Sequence, residues 1–307
     1  MGDKTNIAWC DRTWNGWIGC QKVSDGCKHC YAETLMDHRY QRVKWGPQGT
    51  RERTSAANWK KPFQWNKERW MECGVCKWRG GLKDIKIAAS GGFACPQCAC
   101  EQMMPTRQRV FCSSLSDVFE DRPELVAWRA EMFDIISQTP NLDWLLLTKR
   151  PENIMRMLIE SGRGFQDLPP HIWIGISVEN QETVDKRIPE LLKVPATVRF
   201  LSCEPLLGEV DLSEWFPAEC LDCDDYILAH REEGTMIHDE SPINWVIVGG
   251  ESGQGARPMR FEWALSLKWQ CKSAGVAYFC KQMGGHPNPH HELDEMPESL
   301  RVREFPQ

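Results

Sequence analysis

From residue 109 onward the hydrophobic and polar positions follow one repeated pattern. Short apolar runs at 110–112, 144–147, 172–176, 198–201, 245–248 and 276–280 each end in polar residues. Between them, 124–138, 152–160, 183–192 and 261–273 have helical period. Apolar runs without alternation mark parallel strands covered on both faces. A further run at 7–10 brings the strands to about seven, so the pattern predicts an α/β fold, a full or partial (β/α) barrel of parallel strands. An open doubly wound sheet is the alternative, although the glycines at 249–255 follow a strand without the G-x-G-x-x-G spacing of a dinucleotide site.

In a barrel, the polar tails of the strands gather on the C-terminal rim, where ligands bind. The tails here hold Ser113 to Asp117, Thr148-Lys149-Arg150, Ser177 to Asn180, Ser202-Cys203-Glu204 and Gly249-Gly250-Glu251. Taken singly, Ser116, Asp117 and Ser202 read first as caps of the next helix. Thr148, Lys149, Glu204 and Glu251 together make a stronger case for a site. Cys112 and Cys203 stand at strand ends, either as small buried residues or as a thiol that returns a hydrogen atom to a product radical.

Several stretches break the pattern. Residues 31–40 have a helical period, and 42–67 form an irregular surface segment or a substrate-facing flap. The predicted organisation is a barrel on 1–70 and 105–285, an inserted unit at 71–104, a second insertion at 216–241, and a surface or partly disordered tail at 286–307. The formal net charge of −6 gives no global basic footprint for nucleic acid, though it permits a local groove. Fifteen tryptophans are expected mainly to pack rather than to stack on bases. Fifteen cysteines, with no charged-then-apolar leader at residues 1–6, point to metal rather than disulfides and to a reduced, cytoplasmic protein. No apolar run approaches the ~20 residues of a membrane helix.

The cysteines fall into sets. Cys73-x2-Cys76 and Cys95-x2-Cys98, eighteen residues apart, have the spacing of a four-thiolate zinc ribbon, with Cys100 as a spare thiol. Cys220 and Cys223 with His230 and His238 are candidates for a second zinc, and His286, His290 and His291 for a third site. Cys20-x6-Cys27-x2-Cys30 has one close pair and one outlying residue. Three thiolates can hold three irons of a [4Fe–4S] cluster, leaving the fourth iron open to a chelating ligand such as S-adenosylmethionine. A zinc site completed by His29 or Cys10 is the alternative.

With these motifs, the chain resembles a phage- and prophage-encoded family of radical-SAM-like proteins with a three-cysteine motif, long a domain of unknown function. The resembling segments are 5–33, 109–120, 144–153, 172–180, 200–212 and 245–260. Gly16 and Asp25 depart from the pattern, standing where proline is usual. The resemblance implies a radical-SAM-like barrel in which Thr148 and Lys149 after one strand, and Ser177 after the next, hold S-adenosylmethionine. In radical SAM enzymes a Gly-Gly-Glu run meets the methionyl amino group after an early strand. Here it follows a late one, so Glu251 serves either cofactor or substrate.

The expected function is a radical SAM-like enzyme that generates a 5′-deoxyadenosyl radical to modify or repair a substrate. Cys20, Cys27 and Cys30 hold the cluster, Cys203 and Glu204 are the catalytic candidates, and an external electron donor supplies the reducing equivalent. A nucleotide, a base in nucleic acid or a peptide group is the expected substrate, with nucleic acid favoured, and a protein partner is also considered. Two rivals are a zinc-stapled module that binds nucleic acid or protein, and an iron–sulfur sensor that does not cleave the cofactor.

Overall fold

Seven strands pair in the order in which the chain makes them. They are β1 (Arg12–Trp14), β2 (Gln108–Cys112), β3 (Leu142–Thr148), β4 (Ile172–Ser177), β5 (Val198–Cys203), β6 (Trp245–Gly249) and β7 (Ala277–Gln282), every neighbour parallel. A computed structural model describes residues 5–162, 168–216, 242–253, 255–285 and 293–306, with the backbone pairing of 218–219 and 226–227. A doubly wound sheet needs a point where strand order reverses. Here the order never reverses, so the crossovers stack on one face and the sheet curls into a half-barrel with edges at β1 and β7.

Side-chain alternation divides the sheet into two faces. Leu146, Ile176, Leu201, Cys203 and Val248 belong to the larger core, packed under α3 (Pro123–Ser137), α4 (Ile154–Glu160), α5 (Gln181–Leu192) and α6 (Phe261–Ser273). Phe111, Leu145, Trp173, Phe200 and Phe279 point into the barrel around Trp245. The Trp245 ring meets Trp9, Trp173 and Phe279 edge-on at 6.4, 6.2 and 5.9 Å. Each such burial contributes about 2–3 kcal/mol, and together they fill the barrel floor.

The structure departs from the pattern reading in four places. The first strand is 12–14 rather than 7–10; Trp9 instead turns inward onto Phe111, rings 4.5 Å apart. The segment 42–67 contains a helix, α2 (Ala56–Trp65), started by Ser55 accepting from the Asn58 N–H. Pro62 masks its period, but Trp59 and Trp65 bury one side and Trp59 meets Trp14 edge-on at 5.2 Å. Residues 31–40 begin as α1 (Tyr31–Glu33) and continue as a wider π turn over Thr34–Arg39. The described tail is packed. Arg303 bridges antiparallel to Phe279, and Phe305 stacks 5.2 Å from both Trp245 and Phe279.

The inserted unit is a three-stranded antiparallel sheet of Arg79–Gly81, Trp70–Cys73 and Met103–Thr106, with a hairpin of Lys86–Ile87 and Phe93–Ala94. It joins the barrel where β1 and β2 begin: Arg79 bonds Asp11 and the Arg107 carbonyl. It therefore sits at the end opposite the rim.

Candidate active site and metal centre

The strand ends open into a cavity of about 410 Å³. One wall is the loop carrying Cys20, Cys27, His29 and Cys30; the others include Lys149, Ser177, Ser202, Glu204 and Lys281. The alternation of each strand accounts for these positions. Phe111, Leu147 and Phe200 face inward, so Lys149 and Ser202, two residues beyond Leu147 and Phe200, do as well.

Three rim carboxylates, each paired with an arginine, hold the cysteine loop across this mouth. After β2, Asp117 accepts from Arg150 (2.7 Å), whose other nitrogen donates to the Gln21 carbonyl (2.9 Å) and whose Nη1 lies 3.7 Å from Cys20 Sγ. After β4, Glu179 accepts from Arg187 (2.9 Å) and from the Ser24 hydroxyl (2.8 Å). Gly26 packs so closely here that a Cβ would run into the Glu179 carboxylate. After β6, Glu251 accepts from Arg257 Nε (2.9 Å) and Nη2 (2.6 Å) and meets His29 Nδ1 at 2.8 Å, while Arg257 also donates to the Asp25 carbonyl (2.9 Å).

One rim pair takes no part in this clamping. Lys281 Nζ lies 2.7 Å from Glu204 Oε1, and the Ser202 hydroxyl donates to Oε2 at 3.2 Å. Gly249 makes room, since a Cβ there would stand 2.7 Å from that carboxylate. Gly250 likewise admits the backbone of Gly284. The Gly-Gly pair thus has a local packing reason.

The rim candidates differ in what they face. Lys149 and Ser177 line the cavity, with Lys149 Nζ 3.6 Å from Glu179. Thr148 also lines the cavity, but it is buried and its hydroxyl donates to Asp117 at 2.7 Å, so it supports the clamp. Glu251 lines the cavity too, with its oxygens bonded to Arg257 and His29. Cys203 belongs to the core under the helices and Cys112 lies 3.7 Å from Met132 Sδ; neither lines the cavity. A thiol meant to donate hydrogen would need the other face of its strand. Asp117 does not cap a helix, because α3 starts from Arg122. The sequence assigns no role to Arg150, Arg187, Arg257 or Lys281; Arg150 and Lys281 pair with carboxylates after other strands, which leaves no local spacing to find, whereas Arg187 and Arg257 follow Glu179 and Glu251 on the same crossovers.

Burial, with Asp117 nearby, pushes the Cys20 thiol up to about 12 despite Arg150, and burial also raises Cys30. Burial pushes the Glu251 carboxyl up too, but the donors of Arg257 and His29 outweigh it and hold it down at about 2. A carboxyl depressed from 4.5 to about 2 stabilises the fold fully above pH 4.5 and loses that contribution as pH falls through about 2. Wild-type protein is therefore expected to lose on the order of 3 kcal/mol more than Glu251→Gln between pH 5 and pH 2, measured by urea unfolding across that range.

In the inserted unit, Cys73, Cys76, Cys95 and Cys98 place all four sulfurs within 4.8 Å of one another, a cluster that could bind a metal ion. Two equivalent knuckles create it. Lys77 and Ala99 take positive φ of 60°, and the Cys73 and Cys95 N–H groups bond to the carbonyls of Trp78 and Cys100. Cys100 Sγ stands 3.1 Å from Cys73, a contact that raises its thiol to about 11. Cys20, Cys27 and Cys30 do not gather this tightly. Cys10 is buried against the Ile7 carbonyl and does not line the cavity. Among the described residues the cysteines are thiols, without a disulfide. The candidates Cys220, Cys223, His230, His238, His286, His290 and His291 lie outside the described residues.

Among the described residues no helix is long and apolar enough to cross a membrane. No curated protein and no solved structure matches the chain. One family model does match, over residues 4–302, and by that span the chain belongs to the family described as Protein of unknown function (DUF5131).

Proposed function

We propose that this protein is a radical SAM-like iron–sulfur enzyme that modifies or repairs a nucleotide or nucleic-acid base. The observation that carries the reading is the cysteine loop clamped by three carboxylate–arginine pairs over the mouth of the parallel half-barrel, lining the cavity that holds Lys149, Ser177 and Glu204.

The donor set fits the groups proposed. Thiolates about 2.3 Å from a tetrahedral zinc stand about 3.8 Å apart. The ribbon sulfurs are close to that, at 3.6 Å for Cys73–Cys98 and 3.5 Å for Cys76–Cys95, so this site suits zinc. Cys20, Cys27 and Cys30 are more widely set, as befits thiolates on three separate irons rather than one ion. Held there and reduced by one electron from an external donor, a [4Fe–4S] cluster with S-adenosylmethionine would supply a 5′-deoxyadenosyl radical and methionine.

The chain's own residues bind and orient. Arg150 directs its guanidinium at the Cys20 sulfur and offsets thiolate charge. Lys149 and Ser177 present an ammonium and a hydroxyl suited to a carboxylate of the cofactor. Glu204, held by Lys281 and Ser202, remains for the substrate. The aromatic floor of Trp9 and Phe111 keeps the lower end of the cavity dry.

The test is to incubate anaerobically purified, reduced protein with S-adenosylmethionine and measure 5′-deoxyadenosine by mass spectrometry. Wild type is expected to form it, Cys27→Ala to form none, and Lys149→Ala at least about tenfold less. Loaded protein that binds the cofactor without cleaving it, with or without nucleotides, would overturn the reading in favour of a sensor.

A further inference from the structure

Positive charge is distributed unevenly along this chain. Residues 39–107 carry fourteen Lys and Arg against five Asp and Glu, whereas the remainder carries twenty-three against thirty-eight. A strongly basic segment in a chain of net charge −6 is a local feature, not a matter of overall composition.

The fold lays this segment along one flank. It leaves the cavity mouth after α1 and descends α2 beside edge strand β1. At the top of α2, Thr54 and Asn58 bond to the carbonyls of Gly16 and Asn15, just past the C-terminal end of β1. At its foot, Glu68 pairs with Arg12 at the start of β1, 2.8 Å away. The chain then enters the ribbon. Ten residues of helix span about 15 Å, so one basic flank connects the ribbon to the rim.

Part of this charge is available, while Arg51, Arg53, Arg79 and Arg107 are paired with carboxylates outside the segment. Lys60, Lys67, Arg69, Lys77 and Lys83 are exposed and take part in no ion pair among the described residues. The Leu82 N–H donates to the Arg69 carbonyl, which sets Arg69 beside Lys83. On the same ribbon Ile87 and Phe93, 69% and 44% exposed, face each other across the hairpin. An apolar pair amid cations offers a surface for a base next to sites for phosphate.

We propose that this flank is a nucleic-acid-binding surface that tracks a sugar–phosphate backbone from the ribbon toward the cavity mouth. It deepens the proposed function by naming a polymer rather than a free nucleotide as the partner. Local charge of one sign attracts a polyanion, while the acidic remainder of the molecule repels it and so restricts binding to the flank.

The experiment is fluorescence anisotropy on the full chain with a labelled single strand of about 20 nucleotides, over a range of salt. It needs neither a cluster nor cofactor cleavage, so it can succeed or fail separately from the radical reading. Saturable binding is expected, weakened at least about tenfold in the triple variant Lys60→Glu, Lys67→Glu, Lys83→Glu, with the salt slope lowered by two to three. Lys83→Glu alone is expected to weaken binding a few-fold, and both variants should melt as wild type does. Lys186→Glu, on α5, should leave affinity unchanged. The proposal is overturned by absence of saturable binding, by equal weakening in Lys186→Glu, or by polyglutamate competing as well as the unlabelled strand, which would mark a surface for an acidic protein.

Discussion

Glu179→Ala is expected to destabilise the protein by about 3–5 kcal/mol, the cost of leaving a buried charge without its partner. The Glu179 and Arg187 side chains are 1% and 6% exposed. Without the carboxylate, Arg187 retains the Ser177 carbonyl at 2.7 Å but faces no negative charge there, and the Ser24 hydroxyl loses its acceptor. The cysteine loop then hangs on two clamps instead of three. Urea unfolding should show a lower midpoint with an unchanged slope, and iron retained through anaerobic purification should fall. Glu179→Gln keeps the volume and is expected to cost less in both readouts.

Arg51→Ala is expected to cost a similar amount, for a reason away from the cavity. The Arg51 and Glu120 side chains are 0% exposed and share two hydrogen bonds of 2.6 Å. Removing the guanidinium leaves a buried carboxylate whose next cation, Arg150, lies 3.9 Å away. Glu120 closes the rim segment that begins at Ser113, and Arg51 borders the glycine before Cys20. The loss should therefore reach the cysteine loop as well as the unfolding midpoint. Pairing Arg51→Met with Glu120→Leu removes both charges together and is expected to recover most of the stability, as buried ion pairs exchanged for apolar residues do.

The half-barrel was legible because its strands are buried on both faces and so lack alternation. The repeat of runs from 110 to 280 gave six of seven strands nearly in place, and helix Phe261–Ser273 with both ends. The first strand was missed because Arg12-Thr13-Trp14 is short and polar at its start, whereas Trp9 and Cys10 look strand-like but turn inward to plug the floor. Helix Ala56–Trp65 was hidden by Pro62 and two lysines, although Ser55 as its cap was visible.

The site was only half legible. The cysteine spacing and the polar strand tails identified the loop and the rim. What joins them was not readable: Arg150 pairs with a carboxylate after another strand, and although Arg187 and Arg257 stand close in sequence to Glu179 and Glu251, the loop groups those pairs hold, the Ser24 hydroxyl and the Asp25 carbonyl, come from the far end of the chain. Thr148 and Glu251 line the cavity, as expected of ligand contacts, and the fold also uses both to hold the loop. Cys203 fails as a cavity thiol for a simpler reason: in a strand, adjacent residues face opposite sides, and Glu204 already lines the cavity.

The central claim, two different metals in two cysteine sites, is tested most directly by elemental analysis of anaerobically purified protein for iron, acid-labile sulfide and zinc. Wild type should carry about four irons and four sulfides with one zinc. Cys27→Ala should lose the iron and sulfide but keep the zinc, and Cys98→Ala should lose the zinc but keep the iron. Protein holding zinc alone in both sites, with no labile sulfide after anaerobic handling, would contradict the account.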